Sequence, residues 1–203
     1  TAVDIDSDGD IDVVAANTIT TENDDAGITL YENNGSESFT THTILSWSHS
    51  NGIHAVDLDQ DGDMDLISAS VANLVWYENT MESGNIISWV VSDLTTSATG
   101  AKSVFAADLD RDGDIDILSA SETDDAITWY KNDGSQNFTQ IDVVTGKNEV
   151  TEVFAKDLDN DGDIDILSAA NLDNTISYYE NNGSSNPGFT LQIISADVNR
   201  PMD

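Results

Sequence analysis

The chain has 203 residues, which is enough for one domain with a sizeable core. Its 39 acidic and 6 basic residues give a formal net charge of −33, and so negative a surface repels nucleic acid and anionic membranes. The chain has no cysteine, so it has no disulfide. No apolar run approaches the roughly 20 residues of a membrane span. Composition therefore argues against nucleic-acid binding and membrane insertion.

A nine-residue stretch with aspartate at positions 1, 3, 5, 7 and 9 and glycine at position 6 occurs four times. Two unit charges about 4 Å apart repel by roughly 1 kcal/mol in water, and by several times more near a protein surface. Five crowded carboxylates therefore oppose folding unless a cation joins them, and the pattern predicts a metal-binding loop. The twenty aspartates are Asp4, Asp6, Asp8, Asp10, Asp12, Asp57, Asp59, Asp61, Asp63, Asp65, Asp108, Asp110, Asp112, Asp114, Asp116, Asp157, Asp159, Asp161, Asp163 and Asp165.

The donor atoms predict calcium as the metal. All are oxygens, and no loop contains histidine, which argues against zinc, copper and iron. Calcium accepts roughly 6 to 8 oxygens in a flexible shell, whereas magnesium requires strict octahedral geometry. An EF-hand loop would need glutamate at position 12, which is instead Ala15, Ser68, Ser119 or Ser168. We therefore expect position 9 to close the site and position 7 to offer its backbone carbonyl, with about four calcium ions in all, one per repeat.

The spacing of the loops predicts the architecture. Their first aspartates lie at residues 4, 57, 108 and 157, in steps of 53, 51 and 49 residues. A period near 50 residues is typical of a propeller or a solenoid. We interpret residues 1–203 as a single repeat domain, with repeats at approximately 1–53, 54–104, 105–153 and 154–203.

Within each period the predicted elements follow one order. A first strand, such as residues 103–107, leads into the loop, and a second, such as 115–120, leaves it. A third strand ends in a large pair: Leu30-Tyr31, Trp76-Tyr77, Trp129-Tyr130 or Tyr178-Tyr179. In three repeats an Asn-Asn-Gly or Asn-Asp-Gly hairpin signal follows, and a fourth strand opens at Phe39, Phe138 or Phe189. Repeat two has a longer turn before a strand predicted at 86–91.

The third strands carry bulky side chains on both faces, for example Ile127 and Trp129 on one and Thr128 and Tyr130 on the other. Such a sheet is covered by neighbours on both sides. No helical periodicity occurs. Four antiparallel strands per period thus predict an all-β fold of four propeller blades, whose aromatic pairs we interpret as core rather than as a ligand-stacking platform.

Residues 104–120 and 127–134 resemble the FG-GAP-like (VCBS) repeat, a family that includes the calcium-binding blades of integrin α-subunit propellers. The resemblance covers essentially the whole chain. It implies a β-propeller whose loops bind calcium through the side chains at positions 1, 3, 5 and 9 and the carbonyl at position 7. Family propellers usually have seven blades, so four repeats are expected to form part of a larger propeller or an assembly completed by a neighbouring chain.

The expected function is that of a non-enzymatic, calcium-rigidified module, extracellular or at the cell surface, in adhesion, scaffolding or filament assembly. Its expected partners are other protein chains or copies of itself. One alternative is a lectin that binds glycans between blades, with Trp47 and Trp89 as exposed aromatics. Another is an ancillary domain of a secreted polysaccharide-degrading enzyme. Paired carboxylates suggest glycoside hydrolysis, but nearly every clustered acid belongs to a repeated loop.

Three Asn-x-Ser/Thr triplets lie in the predicted hairpin turns, and their asparagines are Asn34, Asn137 and Asn182. Such triplets are acceptors for N-glycosylation. They also arise by chance in a chain rich in Asn, Ser and Thr, so glycosylation is a hypothesis that intact mass can test.

Overall fold

The computed structural model describes residues 1–17, 27–36, 38–46, 50–81, 87–95 and 97–196. Within these ranges the chain forms sixteen β-strands and no helix. The strands are β1 (Ala2–Val3), β2 (Asp12–Asn17), β3 (Gly27–Asn33), β4 (Phe39–Ser46), β5 (Ser50–Val56), β6 (Asp65–Ser70), β7 (Leu74–Asn79), β8 (Trp89–Thr95), β9 (Ala101–Ala107), β10 (Asp116–Ser121), β11 (Ala126–Asn132), β12 (Phe138–Thr145), β13 (Val150–Lys156), β14 (Asp165–Ala170), β15 (Thr175–Asn181) and β16 (Phe189–Ser195).

The strands form four separate four-stranded sheets, in which each strand pairs antiparallel with the next along the chain. We number them sheet 1 (β1 to β4) through sheet 4 (β13 to β16). Sheets 2, 3 and 4 begin at residues 50, 101 and 150, each four residues before the sequence repeat that starts at 54, 105 or 154. The predicted strand order and the fourth strands that open at Phe39, Phe138 and Phe189 are confirmed.

The fourth strand of repeat two differs from the prediction. It spans Trp89–Thr95 rather than 86–91, and Trp89 pairs with Asn79 as Phe39 pairs with Asn33 in sheet 1. The apolar run at 86–91 suggested an earlier start, but the hairpin register sets the first paired residue. Residues 82–86 lie outside the described part of the chain.

Consecutive sheets pack face to face through three apolar cores. We call the face of a sheet that points to the next sheet its forward face, and the opposite one its rear face. Between sheets 3 and 4, for example, the forward-face residues Leu109, Leu118 and Trp129 bury against the rear-face residues Ile166 and Tyr179. Corresponding residues form the cores between sheets 1 and 2 and between sheets 2 and 3.

Six of the eight residues in the bulky pairs of the third strands are core, as predicted, whereas Tyr31 and Tyr178 are half-buried. Trp76, Tyr77, Trp129, Tyr130 and Tyr179 are all buried. Burial of a large apolar side chain stabilises a fold by roughly 1.5 to 3 kcal/mol, so these residues hold neighbouring sheets together. The all-β architecture of four propeller blades is therefore confirmed. In the described residues there is no helix long and apolar enough to cross a bilayer.

Candidate metal centres

Four aspartate loops connect the first and second strands of the sheets and share one backbone conformation. They are loop 1 (residues 4–12), loop 2 (57–65), loop 3 (108–116) and loop 4 (157–165). The position-4 residue of each is left-handed, with φ between 59° in Ser7 and 65° in Asn160, and the position-6 glycine has φ between 95° and 103°. A Cβ would meet no atom within 4 Å at Gly9, Gly62 or Gly113. Backbone conformation, rather than crowding, therefore requires glycine there.

Repeated hydrogen bonds hold each loop in this shape. The position-6 N–H donates to the position-1 carboxylate, at 3.0 Å in Gly9–Asp4 and 3.1 Å in Gly113–Asp108. The position-7 N–H donates to the position-5 carboxylate, at 2.9 Å in Asp63–Asp61. Positions 1 and 5 therefore have their carboxylates turned toward the centre of the loop.

In every loop three carboxylates converge, with ligand oxygens that all lie within 4.8 Å of one another. In loops 1 and 2 they come from positions 1, 3 and 5, and in loops 3 and 4 from positions 1, 3 and 9. The four groups are Asp4, Asp6 and Asp8; Asp57, Asp59 and Asp61; Asp108, Asp110 and Asp116; and Asp157, Asp159 and Asp165. The structure thus assembles one acidic cluster per repeat, at the predicted positions.

The clusters have the features of a cation site. The buried oxygens Asp57 Oδ1, Asp108 Oδ1 and Asp110 Oδ1 have no hydrogen-bond donor within the described ranges. Burial, together with the charges of Asp61 and Asp57, raises the pKa of Asp59, and burial is also the main cause of the raised pKa of Asp6. A hard divalent cation would satisfy these oxygens and favour the ionised carboxylates. The donor set therefore fits calcium.

The position-9 aspartates have a second role that the sequence did not indicate. Asp12, Asp65, Asp116 and Asp165 are fully buried. In Asp65 one oxygen accepts the N–H of Leu58 at 3.1 Å and the other that of Asn79 at 2.8 Å. The other three loops repeat this pair of bonds. The position-9 carboxylate therefore links the loop to the end of the third strand through hydrogen bonds, and it does so without a bound metal.

Burial has a clear effect on the acidity of two of these groups. It raises the pKa of Asp65 and of Asp116 to about 6, although backbone hydrogen bonds oppose the shift. A buried carboxylate favours its neutral form unless a positive charge is close. A cation bound beside these two carboxyl groups would therefore favour their ionised form near neutral pH.

The position-7 side chains of loops 1, 3 and 4 point toward the hairpin turns, and none of them belongs to a cluster. At Gly35, Gly134 and Gly183, in the hairpin turns, an added Cβ would collide with the carboxylates of Asp10, Asp114 and Asp163 respectively. The Asp163 carboxylate also pairs with Arg111 of loop 3 at 2.7 Å. This placement agrees with a position-7 residue that offers only its carbonyl to a metal.

An asparagine at the end of each third strand is the functional residue that the sequence analysis missed. Asn181 Nδ2 donates to the carbonyls of Ile164 in its own loop and Leu109 in loop 3, at 3.0 and 2.9 Å. Asn79 makes the same pair of bonds, to Met64 and Ile5. The recurrence of asparagine at 33, 79, 132 and 181 was the available signal. Sequence spacing alone assigns this asparagine only to a hairpin turn.

Loop 3 differs from the other loops by a nearby cation. The ammonium of Lys131, on β11, contacts the carboxylate of Asp110 and lies 3.2 Å from that of Asp112. The corresponding residue is glutamate in the other three repeats. One cluster therefore has an internal positive charge.

The remaining predicted residues lie at the surface or outside the described ranges. Asn34, Asn137 and Asn182 are exposed, as an acceptor for a glycan must be. Trp89 was expected to be exposed but is half-buried, because its ring packs against the core between sheets 1 and 2. Trp47 lies outside the described residues.

Comparisons with known proteins agree with this arrangement. The family model described as FG-GAP-like repeat matches three times, at residues 4–68, 57–119 and 108–168. Among solved structures the chain is similar to an Agrocybe aegerita lectin described as specifically recognising non-reducing terminal N-acetylglucosamine, with 18% identity and a TM-score of 0.64. The alignment covers 98% of this chain and 53% of the lectin chain, so this chain spans about half the length of the structure it matches.

A search of curated proteins found no match to this chain. The likeness to the lectin, at 18% identity, concerns the fold. The three family matches run without a gap from residue 4 to residue 168 and each begins at the first aspartate of a loop. The chain belongs to the family of FG-GAP-like repeat proteins.

Proposed function

We propose that this chain is a calcium-binding β-propeller module, extracellular or at the cell surface, with a structural, adhesion or assembly role and no enzymatic activity. The convergence of three aspartates in each of four equivalent loops carries the proposal. Positions 1, 3, 5 and 9 would supply carboxylate oxygens and position 7 a carbonyl. Water would complete the 6 to 8 ligands that calcium prefers.

Calcium would act by linkage between binding and folding. An ion that binds the folded loop and not the unfolded chain stabilises the fold by RT ln(1 + [Ca]/Kd), about 2.7 kcal/mol at a hundredfold excess over Kd. Four ions would change the net charge from −33 to −25, since 4 × 2 = 8. Filled loops would also brace neighbouring sheets, because Asn79 and Asn181 each bridge two consecutive loops.

The test is thermal unfolding of metal-free protein with calcium, with magnesium and with chelator. We expect calcium to raise the Tm by well over ten degrees and magnesium to raise it much less. A matched variant, Asp57→Asn with Asp59→Asn, should remove one equivalent of calcium in titration calorimetry and part of the Tm increase. Equal melting with calcium and with chelator would exclude the proposal.

A second candidate is carbohydrate binding, and a groove between sheets 1 and 2 favours it. The groove has a volume of about 370 Å³ and is lined by Leu30, Glu32, His42, Thr43, Ile44, Ile87 and Trp89. An apolar ring beside a few convergent polar groups is a common arrangement in sites for small ligands. His42 and Glu32, which hydrogen-bond to each other at 2.6 Å, would supply the polar contacts. The similar solved structure is that of a lectin, which is consistent with such a site.

A glycan array that includes N-acetylglucosamine would test this second candidate. Trp89→Ala should abolish a sugar signal. Phe39→Ala is the matched control, because Phe39 opens the fourth strand of sheet 1 as Trp89 opens that of sheet 2, but is exposed. An array without signal, or a signal that both variants leave intact, would eliminate the groove as a sugar site.

We also propose N-glycosylation at Asn34, Asn137 and Asn182, which the exposure of all three supports. Secreted protein from eukaryotic cells should lose mass on treatment with an N-glycosidase. An unchanged intact mass would end this hypothesis.

A further inference from the structure

We propose that the candidate calcium sites are coupled in pairs, loop 1 with loop 2 and loop 3 with loop 4, so that an ion bound in one loop raises the calcium affinity of its partner. The coupling passes through the asparagine that ends the third strand of the second sheet in each pair, Asn79 or Asn181. This inference rests on the calcium binding proposed above, and it adds a dependence between sites that four isolated loops would not show.

A buried path of hydrogen bonds joins the position-9 carboxylates of loops 1 and 2. Asp12 accepts the N–H of Ile5 at 2.8 Å, and the carbonyl of Ile5 accepts Nδ2 of Asn79 at 3.1 Å. The N–H of Asn79 then donates to Asp65 at 2.8 Å. All four residues are buried. The path therefore runs out of contact with solvent from a candidate ligand of one loop to a candidate ligand of the next.

The same path joins loops 3 and 4. Asp116 accepts the N–H of Leu109 at 3.1 Å, and the carbonyl of Leu109 accepts Nδ2 of Asn181 at 2.9 Å. The N–H of Asn181 donates to Asp165 at 2.9 Å. These four residues are buried as well. The recurrence of one path at two separate contacts between sheets indicates that the repeat sequence, and not a local accident of packing, produces it.

Each path passes through the acidic cluster of the preceding loop. Ile5 and Leu109 hold position 2 of their loops, between the clustered aspartates of positions 1 and 3. Their carbonyls belong to the peptide group that joins positions 2 and 3, and a peptide group is planar. By holding this carbonyl, the asparagine of the next sheet limits where the position-3 aspartate can lie. A loop whose ligands are placed in advance loses less freedom when it binds an ion, so it binds more tightly.

An ion in the second loop of a pair would strengthen this hold. In a metal-free loop 2 the clustered carboxylates repel one another, whereas a bound cation draws them together. Asn79 is anchored on loop 2 by Asp65 and by the carbonyl of Met64, at 2.8 and 3.2 Å. Ordering of loop 2 therefore fixes the amide that holds Ile5 in loop 1. Linkage makes the effect reciprocal, and coupling between sites is typically roughly 5- to 150-fold in affinity.

Loops 2 and 3 lack this path and provide an internal comparison. Nδ2 of Asn132 donates to Ile115 of its own loop at 3.0 Å, and in the part of the chain that the structure describes no hydrogen bond joins Asn132 to loop 2. These two loops are joined instead on their exposed side, where Nε2 of Gln60 donates to the carbonyl of Gly113 at 2.5 Å. That contact ends at position 6 of loop 3 rather than at position 2. We therefore expect little coupling between loops 2 and 3.

A calcium titration of the full chain, followed by heteronuclear NMR of the backbone amides with free calcium set by a chelator buffer, tests the proposal. Each loop has its own reporter, because the position-6 glycine N–H donates to the position-1 carboxylate. The four reporters are Gly9, Gly62, Gly113 and Gly162. Each loop thus gives a separate binding curve.

The decisive variant is Asp57→Asn with Asp59→Asn, which prevents calcium binding in loop 2 and removes the same charge beside both of its neighbours. The calcium affinity of loop 1, joined to loop 2 by Asn79, should fall about tenfold. The affinity of loop 3 should fall much less. Because loops 1 and 3 flank the same altered loop, the comparison separates the hydrogen-bonded path from the change in net charge.

Substitution of the asparagine then tests the path itself. In an Asn79→Ala chain, the loss of calcium from loop 2 should no longer weaken loop 1. Gln60→Ala is the matched control, because it removes the contact between loops 2 and 3 and should leave the coupling of loops 1 and 2 unchanged. The spectrum of each variant shows directly whether it is folded. The comparison of loop 1 with loop 3 needs no substitution at Asn79, so it tests the proposal without that variant.

The outcomes separate this inference from the proposed function. Equal losses of affinity in loops 1 and 3, an unchanged loop 1, or a loop 1 that is still weakened in the Asn79→Ala chain would each overturn the coupling and leave calcium binding intact. If no glycine amide responds to calcium, the proposed function itself fails, and the coupling fails with it.

Discussion

The ammonium of Lys131 lies against the carboxylate of Asp110, in the acidic cluster of loop 3. In the other three repeats the corresponding residue is glutamate, at positions 32, 78 and 180. Lys131 also lies 3.2 Å from the Asp112 carboxylate. Without a metal, this lysine offsets part of the charge repulsion in its cluster. With a metal, it is a competing cation.

Replacement of Lys131 by glutamate should therefore destabilise the metal-free chain and strengthen calcium binding to loop 3. In chelator the Tm should fall by several degrees, because the cluster loses its only nearby ammonium among the described residues. In calcium titrations the wild-type chain should show three tight sites and one weaker site, and the variant should show four similar sites. An affinity change of about tenfold corresponds to 1.4 kcal/mol.

Lys147→Glu is the charge-matched control, since Lys147 lies in the turn between β12 and β13 and belongs to none of the acidic clusters. The Lys147→Glu variant should leave the calcium affinity of the loop 3 site as low as in the wild-type chain. If both variants change the titration equally, the net charge of the chain, and not the contact of Lys131 with Asp110, sets the affinity.

Substitutions of the position-5 and position-9 aspartates should have different effects on the stability of the metal-free chain. Asp65→Asn places an amide donor against the N–H of Leu58 or Asn79, and a buried unsatisfied group costs about 1 to 3 kcal/mol. Asp61→Asn keeps an oxygen for the Asp63 N–H and removes one charge from an exposed position. In chelator, Asp65→Asn should lower the Tm by several degrees and Asp61→Asn should not lower it. Both should weaken calcium binding, and equal Tm values in chelator would refute the bracing role of Asp65.

Protonation of Asp65 and Asp116 should stabilise the metal-free chain as the pH falls from 7 to 5, and His54 should offset part of this gain, because burial lowers its pKa to about 4. Burial raises the folded-state pKa of Asp65 and Asp116 to about 6, above the ordinary value of 3.8. A raised pKa means that the folded state binds the proton more tightly, so this stabilisation is complete below the unfolded pKa and is lost as the pH rises through about 6.

The stability of the calcium-loaded protein should instead fall as the pH falls, since protons compete with the metal for the carboxylates. Scanning calorimetry on dialysed protein, with and without calcium, checks both slopes. The difference in Tm between the two forms should shrink toward pH 5. Comparison with Asp65→Asn isolates the carboxyl contribution from that of His54, and an unchanged pH dependence of the metal-free Tm in this variant would contradict the assignment.

The bridging asparagine of sheet 4 should be important for stability with or without calcium. Asn181→Ala removes two hydrogen bonds from Nδ2, to Leu109 and Ile164, and one that Oδ1 accepts from Gly183. Because the site is buried, we expect a loss of about 2 to 4 kcal/mol in urea denaturation. Asn186→Ala, at an exposed position of the following turn, is the control and should change stability little. A loss confined to calcium-loaded protein would mean that Asn181 acts only through the metal.

Much of the fold could be predicted from the sequence because its determinants are local. The aspartates of a loop lie within nine residues, so their spacing alone indicates that they can surround one ion. The alternation in Ile127, Thr128, Trp129 and Tyr130 reflects the two faces of one strand, which depend only on backbone geometry. The nearly equal spacing of the loops, in steps of 53, 51 and 49 residues, then identifies the blade as the repeating unit.

The tertiary structure decided the features that depend on partners distant in the chain. Asn181 meets Leu109 across 72 residues and Asp65 meets Asn79 across 14, so no short motif reveals either contact. The half-burial of Trp89 is set by the neighbouring sheet against which its ring packs. Local spacing determines which groups can bind an ion or pair in a hairpin, whereas burial and bridging depend on how complete sheets pack against one another.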